Sequence, residues 1–215
     1  MKKITIAILM LLGTFSTASA ELGVNVGISG STGVFTAKGN ETMGTVDSFG
    51  SPYERATSVY GYGSVFIEKT LGQYITVGID YLPDSMESET ADQVKDCEAA
   101  RCTQTIKVAF EDMTTYYAAI NVTENFYIKA GSVEVDVISK EALDTGGTYG
   151  NTSLDGTLLG AGYNKNLMSG IFLRAEGSYT DFDNIKLNST AGETRHVRVN
   201  DIAGLAAKVS IGKTF

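Results

Sequence analysis

The sequence predicts an all-β fold, a transmembrane eight-stranded antiparallel up-and-down β-barrel. Three observations carry this expectation. Stretches of alternating apolar and polar residues recur along the chain, helix-period amphipathicity is not evident after the first twenty residues, and the connections alternate between short and long. Composition points the same way. The chain has 24 glycines and 11 tyrosines against 2 prolines and no tryptophan, a balance suited to many strands rather than packed helices.

Residues 1–20 read as a secretory signal peptide. Lys2 and Lys3 form the charged start, residues 4–12 the apolar core, and Ala18-Ser19-Ala20 a small-residue cleavage site before Glu21. The apolar run falls well short of the roughly 20 residues a spanning helix needs. Residues 21–215 are then expected to form one barrel domain. The formal net charge of −8 becomes −10 once the two leader lysines are gone. An acidic chain without runs of Lys and Arg excludes nucleic acid as an expected partner.

The first strand is expected over residues 22–36, where Leu22, Val24, Val26 and Ile28 alternate with Gly23, Asn25, Gly27 and Ser29. The second covers 58–71 and the third 74–82, with only Gly72-Gln73 between them, a hairpin-sized connection. Ile75, Val77, Ile79 and Tyr81 alternate cleanly with Thr76, Gly78 and Asp80. The fourth (105–122) and fifth (126–139) join through Thr123-Glu124-Asn125, and the sixth (153–165) and seventh (170–182) through residues 166–169.

The eighth strand runs from His196 to Phe215. Leu205, Ala207, Val209, Ile211 and Phe215 share one face and Ala206, Lys208, Ser210, Gly212 and Thr214 the other, with Lys213 interrupting the apolar register. Residues 37–57, 83–104, 140–152 and 183–195 are the long connections. Four long loops then lie at one end and three tight turns with both termini at the other. Closure of the first strand on the last is required, because unpaired backbone groups cost several kcal/mol each in hydrocarbon.

Apolar parity shifts within the fifth segment, from Phe126, Ile128 and Ala130 to Val133, Val135 and Val137. Either a β-bulge near Gly131-Ser132 swaps the faces, or the upper part stands above the membrane. In the fourth segment Asp112 likewise shares parity with Val108 and Ile120. Parity places Glu68, Asp80, Lys129, Arg174, Glu176 and Lys208 in the lumen. An eight-stranded interior is just wide enough for side chains to fill it, so a plugging network of ion pairs is expected, with a conducting pore as the alternative. Tyr60, Tyr62, Tyr74, Tyr81, Tyr116, Phe126, Tyr127, Tyr179 and Phe215 fall near strand ends, as an interfacial girdle would. A soluble lipocalin-like barrel, apolar inside and polar outside, is the competing fold.

The signal at residues 2–20, the alternation over 75–81 and the terminal strand 205–215 resemble the OmpA/OmpX-type eight-stranded barrels of bacterial outer membranes, within the porin-like and opacity-protein superfamily. The resemblance implies residence in the bacterial outer membrane, contact with its lipid and lipopolysaccharide, and a monomer. It also implies that Phe215 acts as the signal read by the outer-membrane assembly machinery. Members of that family serve in adhesion, stress resistance, lipid-A modification or membrane support, so the fold leaves the role and any extracellular ligand open.

Cys97 and Cys102 are the only cysteines and, in an exported chain, are expected to form a disulfide. Catalysis is not expected. A lipid-A-modifying enzyme would need a base beside a nucleophile, and the one histidine, His196, has no serine two positions on, while Ser178 and Glu176 lie far away in sequence. No cofactor or metal is expected. The acidic stretch 83–104 reads as a solvated loop, with a cation-bridged contact to lipopolysaccharide phosphates as the functional alternative, and it lacks the regular spacing of a calcium loop.

Overall fold

The computed structural model describes residues 23–43, 54–88, 91–96, 101–142, 148–190 and 195–215. These form strands β1 (Val24–Met43), β2 (Glu54–Leu71), β3 (Ile75–Leu82), β4 (Met86–Glu87), β5 (Ala91–Asp96), β6 (Arg101–Asn121), β7 (Phe126–Ala142), β8 (Thr152–Asn166), β9 (Ile171–Phe182), β10 (Ile185–Asn188) and β11 (Arg195–Thr214). Eight of them close a ring in the order β1-β2-β3-β6-β7-β8-β9-β11, and β11 pairs back onto β1. All the pairings are antiparallel. The short strands β4 and β5 add to β6, and β10 adds to β11, beyond the ends of β3 and β9. The segments expected as long loops therefore carry the ring strands upward before they turn. The leader and Cys97 lie outside the described residues, and so does the expected disulfide.

Closure follows one register row around the wall. From Val77 on β3 it runs through Ala118, Ala130, Leu159, Tyr179, Leu205 and Val34 to Val59 on β2, yet Val77 also faces Lys69 on β2. The row returns ten residues away from its start. A stagger of that size across eight strands tilts each strand by roughly 40° from the barrel axis. At the turn end the chain is sealed by Phe215 N donating to Val24 O at 2.9 Å, and Gly72, with φ of 68°, takes the left-handed position in the β2–β3 turn.

The lower wall turns its apolar face outward. Val26, Ile28, Val65, Ile120, Ile128, Leu173, Val209 and Ile211 are exposed, while Asn25, Ser29, Ser64, Glu68, Lys129, Glu176 and Ser210 are buried inside. A soluble protein would expose too large an apolar patch this way, whereas a lipid-facing belt requires it. No helix among the described residues is long and apolar enough to cross a membrane; the crossing elements are strands.

Above that belt the polarity inverts. On β7 the outward residues become Ser132, Glu134 and Asp136, and Val133, Val135 and Val137 are buried. Val135, Val137, Leu154 and Ile202 form an apolar core, with Ala37, Val108, Phe110, Met113, Phe182, Ile185 and Val199 packed against it. Glu111 faces Asp136 and Glu134 faces Asp155 on the outer side, like-charge pairs that belong in water and not in hydrocarbon. The lower barrel thus follows the rules of lipid and the upper barrel those of water.

Of the two readings of the parity shift in this segment, the upper part standing above the membrane holds and the bulge near Gly131-Ser132 does not. Strand β7 pairs without interruption from Phe126 to Val137 on β8, and its parity never changes; the solvent outside it does. The register breaks lie elsewhere. Asp112 and Met113 on β6 oppose the single residue Val135, and Asp201 and Ile202 on β11 oppose the single residue Ala37. Asp112 has φ of 53° and Asp201 of 51°, the left-handed conformation of a bulge. Each swaps the faces of its strand above the bulge, so that Val108 and Phe110 on β6 and Val199 on β11 reach the upper core beside Met113 and Ile202, which keep the inward parity of Tyr117 and Lys208.

Candidate functional site

The lumen of the lower barrel gathers the six charged residues placed inward by parity, as three ion pairs drawn from non-adjacent strands. Arg174 on β9 grips Glu68 on β2 with both terminal nitrogens, Nη1 to Oε1 at 2.6 Å and Nη2 to Oε2 at 3.0 Å. Lys129 on β7 donates to Glu176 on β9 at 2.7 Å, and Lys208 on β11 to Asp80 on β3 at 2.6 Å. Three carboxylates meet three cations, so the described lumen network is neutral.

Neutral partners complete the shell. Glu68 also accepts from Tyr117 OH at 2.7 Å and from Asn25 Nδ2 at 3.1 Å, and Tyr127 OH donates to Glu176 at 2.6 Å. Burying a carboxylate is tolerable only with its lone pairs filled this way. The Arg174 guanidinium also lies 5.1–5.5 Å from the rings of Phe66, Tyr127 and Phe172, and Lys129 Nζ lies 4.1 Å from the Tyr117 ring. Glycines make room for these rings. A Cβ on Gly162 would stand 2.3 Å from Tyr127 Oη, and one on Gly212 2.4 Å from the Phe172 ring.

Below this network, at the turn end, lies a polar cavity of about 160 Å³. Asn25, Glu68, Thr70, Thr76, Tyr117, Asn121, Tyr127, Asn164, Asn166, Arg174 and Thr214 line it. Arg174 Nε and Asn164 Oδ1 border it, buried and without a hydrogen-bond partner among the described residues. A space of this size and polarity suits a small cluster of water. Among the described residues no group of three His, Cys, Asp or Glu could hold a metal ion.

The aromatic girdle needs correction. Tyr74, Tyr81, Tyr116, Phe126, Tyr179 and Phe215 lie on the outer face or in a turn, but Tyr127 is buried in the lumen and Tyr60 and Tyr62 are on the inner face. Tyr60 packs edge-on against inward-facing Phe35, ring centroids 5.8 Å apart. Tyr117, absent from the expected lumen set, bridges two of its ion pairs. Its parity opposite to Ile120 was the available signal.

Phe215 is exposed on the outer face with Lys213 Nζ 5.0 Å from its ring. The lysine that breaks the apolar register is therefore set against the terminal aromatic at the rim. His196 faces Thr42 on β1 and Asn188 on β10, far above Ser178, which faces Ala206. Ten residues along β11 separate the two levels, roughly 30 Å of strand. In the stretch 83–104, Glu87 accepts from Lys107 and, at 2.6 Å, from Lys140. These two ammonium groups hold the Glu87 carboxyl down to about 2. Glu89 and Glu98 lie outside the described residues.

An outward apolar belt, a sealed ring of eight strands and an inward ionic network define a membrane-spanning β-barrel. The fold is that of the bacterial outer-membrane barrels. The chain is similar to outer membrane protein OprG from Pseudomonas aeruginosa, with a TM-score of 0.50 and 13% identity over 91% of this chain and 97% of that one. It is also similar to the outer membrane protease OmpT from Escherichia coli (TM-score 0.46, 10% identity, 94% and 99% covered). Neisserial surface protein A gives a TM-score of 0.44 at 11% identity, with 92% and 100% covered. At these identities the likeness is one of fold. No protein-family model matches the sequence, and no curated protein does.

Proposed function

We propose that this protein is a monomeric, non-conducting and non-catalytic barrel of the outer membrane, whose lower half anchors it in lipid and whose upper half presents a surface outside the cell. The observation that carries this reading is the double filling of the interior. A neutral, hydrogen-bonded ion-pair network occupies the membrane level, and a packed aliphatic core occupies the level above it. Ions crossing the barrel would have to break the first and wet the second, and both steps are costly. The distance between His196 and Ser178 supports the absence of acyl-transfer chemistry.

Planar-bilayer recording tests the reading. The wild-type protein is expected to give no stable conductance steps, and regular steps at neutral pH would overturn it. Exposed Phe215 at the sealed rim is proposed as the mark read by the assembly machinery. Phe215→Ser is expected to lower the amount of heat-modifiable protein in the outer membrane without changing the stability of the fraction that folds.

A further inference from the structure

Among the described residues three lysines break the apolar belt, and all three do so at its turn end. Lys69 on β2, Lys165 on β8 and Lys213 on β11 each stand on the outer face. Register fixes their spacing. Lys213 is level with Ile171 on β9, and Lys165 is level with Leu173, two residues further along the same strand. On its other side Lys213 is level with Val26 on β1, and Lys69 with Val24, two residues back.

The two steps are the same, a shift of two strands and two residues, which separates neighbouring lysines by roughly 12 Å at the Cα atoms. Strand tilt then cancels the offset. At roughly 40° the three come to within roughly 3 Å of one height, on an arc spanning β2, β1, β11, β9 and β8. Between them stand the apolar side chains of Val24, Val26, Ile171 and Leu173.

Among the described residues the outer face is mixed in charge at the loop end. There Glu111, Glu134, Asp136, Asp155 and Asp181 face outward just above the belt. The turn end thus sets these three lysines against Glu124 in the β6–β7 turn, whereas at the loop end Lys38, Lys107 and Lys140 are already paired with Asp201 and Glu87. We infer that the Lys69–Lys213–Lys165 arc is a binding surface for anionic phospholipid of the periplasmic leaflet. Phosphates sit between successive lysines, and acyl chains lie in the furrows over Val24–Val26 and Ile171–Leu173. The chemistry favours this source because the cations stand at the edge of an apolar wall. A phosphate there brings its own hydrocarbon to that wall, as a free phosphate cannot. Lys213 is held at this edge by its contact with the Phe215 ring, and the long stems of all three reach headgroup depth.

The test uses the full mature protein in nanodiscs of mixed phosphatidylglycerol and phosphatidylethanolamine, followed by native mass spectrometry of the lipids retained on gentle release. Wild type is expected to retain phosphatidylglycerol preferentially, by roughly fivefold per engaged lysine at low salt, falling as salt rises. K69Q/K165Q/K213Q is expected to lose the preference, and K69R/K165R/K213R to keep it. K186Q, on β10 above the belt, is expected to change nothing. Heat-modifiable migration shows that each variant has folded before its lipids are weighed. Equal retention of the two phospholipids by wild type, an undiminished preference in the triple glutamine variant, or preferential retention of added lipopolysaccharide through these lysines would each overturn the inference.

Discussion

Glu68 and Arg174 are each tolerable in the barrel interior because of the other. Arg174→Met leaves a buried carboxylate with only Tyr117 and Asn25 as donors, and Glu68→Met leaves a guanidinium among three aromatic rings. Either change should lower stability by about 3–5 kcal/mol, whereas E68M/R174M should lose far less, since an apolar pair of similar volume avoids the desolvation of both charges. Urea unfolding in phospholipid vesicles measures all three, and additive losses in the double variant would contradict the pairing. Glu87 offers a cleaner titration, because it stands above the membrane. Its folded-state value of about 2 lies below the ordinary 4.5. Whatever stability the Lys107 and Lys140 contacts add is therefore complete above about pH 4.5 and is lost as pH falls through about 2. Exposure to solvent keeps that contribution small. A carboxyl-detected NMR titration should find the midpoint near 2, and K107Q/K140Q should return it toward the ordinary carboxylate range. Strand parity is enough to point all six lumen charges inward. It says nothing about which cation meets which carboxylate, because partners such as Asp80 and Lys208 come from strands that never touch along the wall.

The strands themselves were nearly all legible, since period-2 alternation and the three tight turns mark the lower barrel independently of context. The long connections were not. Residues 37–43, 54–57 and 101–104 continue ring strands, and 86–87, 91–96 and 185–188 add strands to them, in sequence whose alternation has the opposite sense. The bulges escaped for a related reason. Each rests on a single aspartate in the left-handed conformation, a choice that asparagine or glycine would announce and aspartate does not. Asp112 also accepts a hydrogen bond from Tyr81 OH at 2.5 Å, and Asp201 pairs with Lys38 at 2.5 Å, so each bulge is tied to a neighbouring strand by its own side chain. Asp112→Val places a β-branched residue at φ of 53° and should cost about 1–2 kcal/mol or more. Asp112→Gly should stay within about 1 kcal/mol of wild type, as relief of backbone strain offsets the lost hydrogen bond. Equal losses in the two variants would mean that the side-chain bond, and not the backbone, sustains the bulge.

At the scale of the whole molecule, one continuous set of strands is folded against two solvents. A residue pattern cannot distinguish an apolar face turned to lipid from one turned to a core, which is why the parity change after Ala130 admitted two readings from sequence. The register decides between them: β7 runs straight through, and its inner face passes from Tyr127 and Lys129 to Val133, Val135 and Val137. The two halves therefore depend on different terms. The lower half is held by closure of its backbone hydrogen bonds in hydrocarbon and by its ion pairs, the upper half by burial of aliphatic side chains from water. Destabilising one should spare the other. Leu154 lies in the upper core, and Leu154→Ala should cost that half about 2–5 kcal/mol. Amide hydrogen exchange in vesicles should then show faster exchange across the upper parts of β1, β6, β7 and β11, around Ala37, Val108, Val135 and Val199. Protection around Ile28, Ile120, Ile128 and Ile211 should be unchanged, because those amides open only when the sealed ring opens. A uniform rise in exchange along the strands would show instead that the barrel is one cooperative unit, with its upper core supporting the lipid-embedded ring.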